Sequence, residues 1–264
     1  MPPVRVCVLG SGSTGNCTWV ECGEDAILID AGLSARRTLV TLHERGLDER
    51  KVRGICITHE HGDHTKGIAR LHALLGVPVY ANSGTARAVK NVPADCWKCF
   101  VTGNPFAVGP FSLYPFALLH DAYEPVGYRI SCGGVRIGIA TDLGMATTLV
   151  RGMLRGCRLL VLEANHDEEM LRLSDRTWKL KQRIFGNQGH LSNRMAAALA
   201  AEVAGDTLET LVLAHLSHEC NREDIALETV RECLFGCGLG RISVLAAHAD
   251  EATPVCTCAA PGGA

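Results

Sequence analysis

Residues 54–68 read "GICITHEHGDHTKGI", an apolar, β-prone run that ends in His59, His61, Asp63 and His64. Side chains two apart on an extended segment point the same way, so His59 and His61 can grip one ion together. Asp63 and His64 come after the bend at Gly62, where a helix starts, and can face a second ion. Two-metal hydrolytic sites hold their ions about 3.5–4 Å apart, a gap this short motif can span. The competing reading is a polar surface loop with chance histidines; three His and one Asp within six residues weigh against it.

A metal pair needs further nitrogen and oxygen donors, and three apolar runs end on one. His120 closes "FSLYPFALLHDA", Asp142 closes "VRIGIATDLG" and His215 closes "ETLVLAHLSHE". Each would project from the C-terminal end of a strand at a sheet edge. A carboxylate with two usable oxygens suits a bridge between the ions, which singles out Asp142. Taken one at a time these residues could be hydrogen-bonded polar groups of the interior. Together, beside the first motif, they favour a ligand set over that alternative.

The N-terminal stretch poses a different question. Residues 4–32 read "VRVCVLGSGSTGNCTWVECGEDAILIDAG", with a G-x-G-x-x-G run at Gly10, Gly12 and Gly15 and with Asp30 downstream. A dinucleotide site resembles this, but it needs a helix at the third glycine to receive the pyrophosphate. Here "CTWVEC", a turn at Gly23 and "AILI" are two short β-prone runs joined as a hairpin. That pattern argues against a nicotinamide or flavin cofactor.

At 264 residues and 47% hydrophobic, the chain can bury a sizeable core. Residues 1–250 are expected to form one domain and the Ala/Pro/Gly-rich residues 251–264 a disordered tail. A net charge of −2 provides no global basic field, so a polyanion would need a local patch. Neither an export signal nor an apolar stretch of roughly 18 residues is present, which predicts a cytoplasmic protein without membrane contact. The thirteen cysteines are expected as reduced, small buried hydrophobes. Cys96 and Cys99 have redox C-x-x-C spacing, but no strand-to-helix lead precedes them.

Periodicity predicts strands over 53–58, 77–80, 111–119, 127–132, 135–140, 159–163, 210–214 and 241–246, after the opening hairpin. Helices are expected over 35–45, 65–75, 84–90, 147–155, 193–203 and 222–235. Strand-rich hairpins mixed with amphipathic helices point to α and β layers around two sheets.

The residues quoted above resemble the metallo-β-lactamase superfamily, whose H-x-H-x-D-H signature stands here as His59-Glu60-His61-Gly62-Asp63-His64. The likeness is closer to its YycJ/WalJ-type branch, through "GSGSTGN", "ILIDAGLS", "GVPVYAN", "TDLG", "LVLEANHD", "GHLSN" and "LVLAHLS", and runs over roughly residues 5–222. The resemblance implies an α/β (α+β) fold, a four-layer αββα sandwich with metals at one edge of the sheets. It implies one metal on His59, His61 and His120, another on Asp63, His64 and His215, and Asp142 as the bridge. Asp30 would hold the ligand loop by hydrogen bonds rather than bind metal. With no Cys at the bridging position the site is all nitrogen and oxygen, which suits Zn²⁺, Mn²⁺ or Fe²⁺. In this fold the glycine loop turns beside the metal cleft, where Ser11, Ser13 and Asn16 could orient a water, a ligand loop or a substrate phosphate; a purely structural turn is the alternative.

The likeness also extends to ribonuclease Z-type phosphodiesterases, in which a Glu after a strand orients a His that protonates the departing oxygen. Glu163 and His190 stand in those places, with Asp63 among the catalytic residues. His190 as a helix cap, alongside Ser192, is the structural alternative. His166 and His218 are expected as polar neighbours. A local basic run, Arg172, Arg176, Lys179, Lys181 and Arg183 around Trp178, predicts nucleic-acid contact through Trp178, Lys179, Lys181 and Arg183, against a solvated helix face. The predicted function is a two-metal phosphodiesterase or nuclease, exonuclease-like, acting on DNA, RNA or a small phosphodiester. The rivals are a thioester or lactone hydrolase of the same fold and a regulatory accessory protein of a two-component signalling system. The sequence leaves the oligomeric state open, a dimer included.

Overall fold

A computed structural model describes residues 2–260 of the chain. Among them are two seven-stranded sheets. The first runs in the order β14 (Cys256–Cys258), β1 (Val4–Gly10), β2 (Cys17–Cys22), β3 (Asp25–Ile29), β4 (Val52–Cys56), β5 (Val79–Asn82), β6 (Trp97–Phe100). The second runs β13 (Ser243–Ala246), β12 (Thr210–Ala214), β11 (Leu159–Glu163), β10 (Val135–Ala140), β9 (Val126–Cys132), β8 (Phe111–Ala117), β7 (Phe106–Val108).

Alternation along the strands builds the layers, because successive side chains face opposite sides of a sheet. In β3, Ile27 and Ile29 enter the cluster between the sheets, while Ala26 and Leu28 enter the one outside. In β11, Leu159 and Val161 face inward, and Leu160 and Leu162 face out. Both faces of each sheet are therefore apolar and need cover. On the first sheet α1 (Ala35–Glu44) and α3 (Ile68–Leu75) supply Leu42, Ile68 and Leu71. On the second, α5 (Thr148–Leu154), α8 (Asn193–Val203) and α9 (Glu223–Gly236) supply Val150, Leu154, Ala196, Ala200, Val230 and Leu234. Shorter helices α2 (Gly62–Thr65), α4 (Ser83–Ala88), α6 (Glu168–Leu173) and α7 (Trp178–Phe185) occupy connections. The four-layer αββα sandwich is the observed architecture.

Strands β3 to β6 run parallel to one another, as do β10 to β13. Parallel strands end on one edge, so the loops leaving β3, β4, β10, β11 and β12 gather there, at the carboxyl ends where α/β sheets bind ligands.

Two local expectations change. The helix predicted over 65–75 is split into α2 and α3, because the chain must pass the loop after β3 closely: a Cβ on Gly67 would lie 1.9 Å from the Leu33 carbonyl oxygen. Cys99 lies on the parallel edge strand β6 and Cys96 in the turn just before it, and all thirteen cysteines are free. The tail expected to be disordered from 251 is instead ordered through 260. Cys256–Cys258 pairs antiparallel with β1, and the Val8 amide donates to Thr253 Oγ1 at 3.0 Å. Without that strand β1 would present unpaired backbone at a sheet edge; three residues are too few to show a period in the sequence. Residues 261–264 of that expectation lie outside the described residues. No helix among the described residues is long and apolar enough to cross a membrane.

Candidate active site

Among the described residues, three other than glycine have left-handed backbone: Asp30 at φ 63°, Asp142 at 59° and His215 at 55°. Each lies just past the end of a strand, β3, β10 or β12, and each is buried. Such a conformation costs on the order of 1–3 kcal/mol and persists only where the surroundings hold it. Here it turns the chain sharply at the strand end and directs three polar side chains into one place.

The seven expected ligands meet there. Donor atoms of His59, His61 and His120 lie within 4.8 Å of one another, as do those of Asp63, His64 and His215 and those of His59, His64 and Asp142. Asp142 connects the groups: Oδ2 is 3.0 Å from His64 Nε2, while Oδ1 is 3.5 Å from His215 Nε2 and 3.9 Å from His120 Nε2. His215 Nε2 is also 3.4 Å from Asp63 Oδ2.

The far nitrogens of three of these rings are occupied, which fixes their near ones toward the centre. His64 Nδ1 donates to Asp30 Oδ2 at 2.8 Å, His59 Nδ1 meets Thr58 Oγ1 at 3.0 Å, and His120 Nδ1 meets the Gly189 carbonyl at 3.3 Å. Asp30 also accepts from the Thr58 amide at 2.8 Å and from its hydroxyl, so it ties the β4 loop to the β3 end. Thr58 itself had no signal in the sequence beyond that of a strand residue.

The cluster suits a divalent cation. His59 Nε2 is buried without a hydrogen-bond partner, although buried polar atoms are nearly always satisfied. Burial pushes His59 well below the ordinary imidazole range, and burial likewise lowers His120, so both are neutral donors. Burial opposes a charge on His64 and His215 too, but carboxylates outweigh it: Asp30 and Asp142 hold His64 well above its usual value, and Asp142, Asp63 and Glu163 hold His215 at about 10. Cation-free, the carboxylates are thus balanced by protons on His64 and His215, positive charge that bound metal would replace.

Glu163, fully buried at the end of β11, joins this cluster to His190. Its Oε1 accepts from His190 Nδ1 at 2.7 Å and from His215 Nδ1 at 3.1 Å. Its Oε2 accepts the amides of Leu143 at 3.0 Å and Leu191 at 3.1 Å. Burial works against its charge, yet the imidazoles, His190 foremost, hold it down at about 2. His190 is raised despite burial, by Glu163. The cap of α8 is Ser192, whose hydroxyl accepts from the Met195 amide, so His190 is not the cap. His190 and His215 line a cavity of about 190 Å³ together with Ser13, Arg176, Arg183 and Asn165. Asn165, not singled out in the sequence, donates to the His215 carbonyl at 2.9 Å.

The glycine loop divides its work. Ser11 and Asn16 are buried: Ser11 Oγ accepts from the His215 amide at 2.8 Å, and Asn16 Nδ2 reaches His64 Nε2 at 3.1 Å. Ser13 alone of the three faces the cavity. The loop after β3 presses against the same segment, and a Cβ on Gly32 would lie 1.6 Å from the Asp63 carbonyl oxygen.

The basic run is largely committed to the protein itself. Lys181 is buried and its ammonium donates to the Arg172 and Ser174 carbonyls at 2.7 and 2.6 Å, which removes it from the expected nucleic-acid contacts. A helical face pattern did not distinguish it, because the carbonyls belong to α6 and the loop after it. Arg183 donates to Asp121 at 2.6 Å and Arg176 to Glu219 at 2.9 Å, with both arginines on the cavity wall. Trp178 and Lys179 are exposed. His166 is buried with both ring nitrogens unpartnered, and burial lowers it to about 4; His218 is exposed.

A sandwich of this topology with a His/Asp cluster at the sheet edge defines a metallo-β-lactamase-fold hydrolase, and a family model described as a beta-lactamase superfamily domain matches residues 25–216. Within that superfamily the chain belongs to the YycJ/WalJ family. It is 37% identical over 237 residues to exodeoxyribonuclease YycJ of Bacillus anthracis, covering 88% of this chain and 90% of that protein. Exodeoxyribonuclease WalJ of Streptococcus pneumoniae is 33% identical over 257 residues, 94% of this chain and 96% of that protein. The crystal structure of the metallo-β-lactamase fold protein YhfI from Bacillus subtilis shares the fold at a TM-score of 0.74 and 18% identity, covering 95% of this chain and 99% of that one. The chain is a metal-dependent hydrolase.

Proposed function

We propose that this protein is a two-metal phosphodiesterase that degrades DNA as an exonuclease. His59, His61 and His120 would hold one ion, Asp63, His64 and His215 the other, and Asp142 would lie between them; Zn²⁺, Mn²⁺ and Fe²⁺ all suit these donors. When bound, such a pair supplies a water of lowered pKa and neutralises charge on the attacked group. The chain's own residues do the rest. Glu163 accepts the Nδ1 proton of His190 and leaves Nε2 to carry the proton for the departing oxygen. An alkoxide is a poor leaving group, so a positioned acid favours diester cleavage over acyl transfer. The Glu163–His190 pair beside the seven-ligand cluster is the observation that carries this reading. Names of the relatives, exodeoxyribonucleases, favour DNA over RNA.

The test is metal-reconstituted protein assayed on end-labelled single- and double-stranded DNA, on RNA and on a thioester, with metal content measured in parallel. About two ions per chain and release of nucleotides from DNA ends are expected, and His59→Ala or Asp142→Ala should lose both metal and cleavage while the fold survives. Thioester turnover with untouched DNA would overturn the reading.

A further inference from the structure

The cations that the sequence groups around Trp178 are mostly paired, so free positive charge beside the site has to be sought elsewhere. It lies in an open groove between α1 and α3, where Arg36, Lys66 and Arg70 line the surface together with Leu39, Val40 and Leu74. No Asp or Glu lines the groove. Elsewhere in the same region cations find acids: Arg37 pairs with Asp250 at 3.4 Å and Arg45 with Glu251 at 3.5 Å. Arg36 and Arg70 are exposed and have no carboxylate partner among the described residues. In a chain of net charge −2, three unopposed cations in one groove are a local positive field.

Lys66 ties the groove to the loops that carry the active site. Lys66 stands two residues past His64, and its ammonium meets the carbonyl of Thr14, the neighbour of the cavity-lining Ser13. Its floor carries exposed aliphatic side chains, with Val40 and Leu74 about half exposed. Cations that take phosphates, beside apolar surface that takes sugar and base faces, are what a nucleic-acid strand requires.

We propose that the α1–α3 groove is a second binding site for the DNA substrate, seating backbone phosphates beyond the one being cleaved on Arg36, Arg70 and Lys66. The proposal rests on the phosphodiesterase reading above. Two cations that each neutralise a phosphate contribute about 0.7–0.9 apiece to the slope of log K against log salt.

The experiment uses metal-loaded full-length protein with the pairs Arg36→Ala/Arg70→Ala, Arg36→Glu/Arg70→Glu and Arg36→Lys/Arg70→Lys. Binding of a fluorescent 20-nucleotide DNA, single- and double-stranded, is monitored by anisotropy from 50 to 200 mM KCl (about a fourfold range in salt). Cleavage of the same DNA and of bis(p-nitrophenyl) phosphate is measured alongside. The Ala pair should weaken DNA binding about tenfold at low salt and make the slope shallower by about 1.4–1.8. The Glu pair should weaken it further, the Lys pair should restore the slope, and turnover of the small diester, which does not reach the groove, should stay unchanged. Wild-type affinity and slope in the Ala and Glu pairs, with DNA still cleaved, would discard the groove and leave the phosphodiesterase standing. An unmodified chain that neither binds nor cleaves DNA would instead remove the underlying reading, and the groove with it.

Discussion

Replacing Glu163 with Gln keeps the volume of a fully buried side chain and removes one charge and one acceptor. In the wild type, one oxygen serves two imidazoles and the other serves two backbone amides. An amide end can satisfy only one of these sets, because its nitrogen is a pure donor. If the carbonyl keeps Leu143 and Leu191, the NH₂ faces His190 and His215, and each ring must then turn an unprotonated Nδ1 toward it. The proton moves to Nε2, which in His215 points at Asp63 and Asp142 and is the expected ligand atom. Losing the outer partner of a metal-binding His typically costs about 10–100-fold in metal affinity or activity. Here the same oxygen also orients His190, so cleavage should remain depressed even at saturating metal.

The metal-free protein gives a second readout. Glu163 titrates at about 2 rather than 4.5, worth about 3 kcal/mol of stability. Because the folded value is depressed, that contribution is complete above about pH 4.5 and is lost as pH falls toward 2. EDTA-treated Glu163→Gln should therefore unfold in urea with a deficit of about 3 kcal/mol at pH 7, and the gap to wild type should close below pH 4.5. Chelator-competition titration measures the metal affinity. Unchanged metal affinity with a pH-independent deficit would refute the orienting role and leave Glu163 a packing residue.

His190→Gln should retain its metal, and it should slow diesters with poor leaving groups by at least about tenfold more than p-nitrophenyl esters; equal losses would remove the acid role. Lys181→Met strands two carbonyl groups and should lower stability by about 2 kcal/mol in urea melts with DNA binding unchanged, whereas a lost salt slope would return Lys181 to the binding surface. Gly32→Ala cannot be accommodated against the Asp63 carbonyl and should cost about 4 kcal/mol or more, or expel metal; a wild-type melting curve would contradict the close crossing.

Much of this molecule is written locally. The two-residue alternation of β3 and β11 encodes strands covered on both faces, and hence the layered sandwich. The spacing of His59, His61, Asp63 and His64 encodes donors presented together, and His120, Asp142 and His215 announce themselves as polar residues closing apolar runs. Such signals survive in a sequence because they depend on neighbours a few residues apart.

Meetings between distant segments are decided by the folded chain alone. Glu163 serves His215 as well as His190 only because β11 and β12 lie side by side in parallel. Ser11 and Asn16 turn inward while Ser13 faces the cavity, since the loop after β1 packs on the β12 end and on the Asp63 segment. Lys181 spends its charge on carbonyls nine and seven residues back, the tail closes the edge of β1, and Arg36 and Arg70 share a groove. Each depends on where loops close in space, and the free energy of those closures belongs to the whole packed structure rather than to any window of sequence.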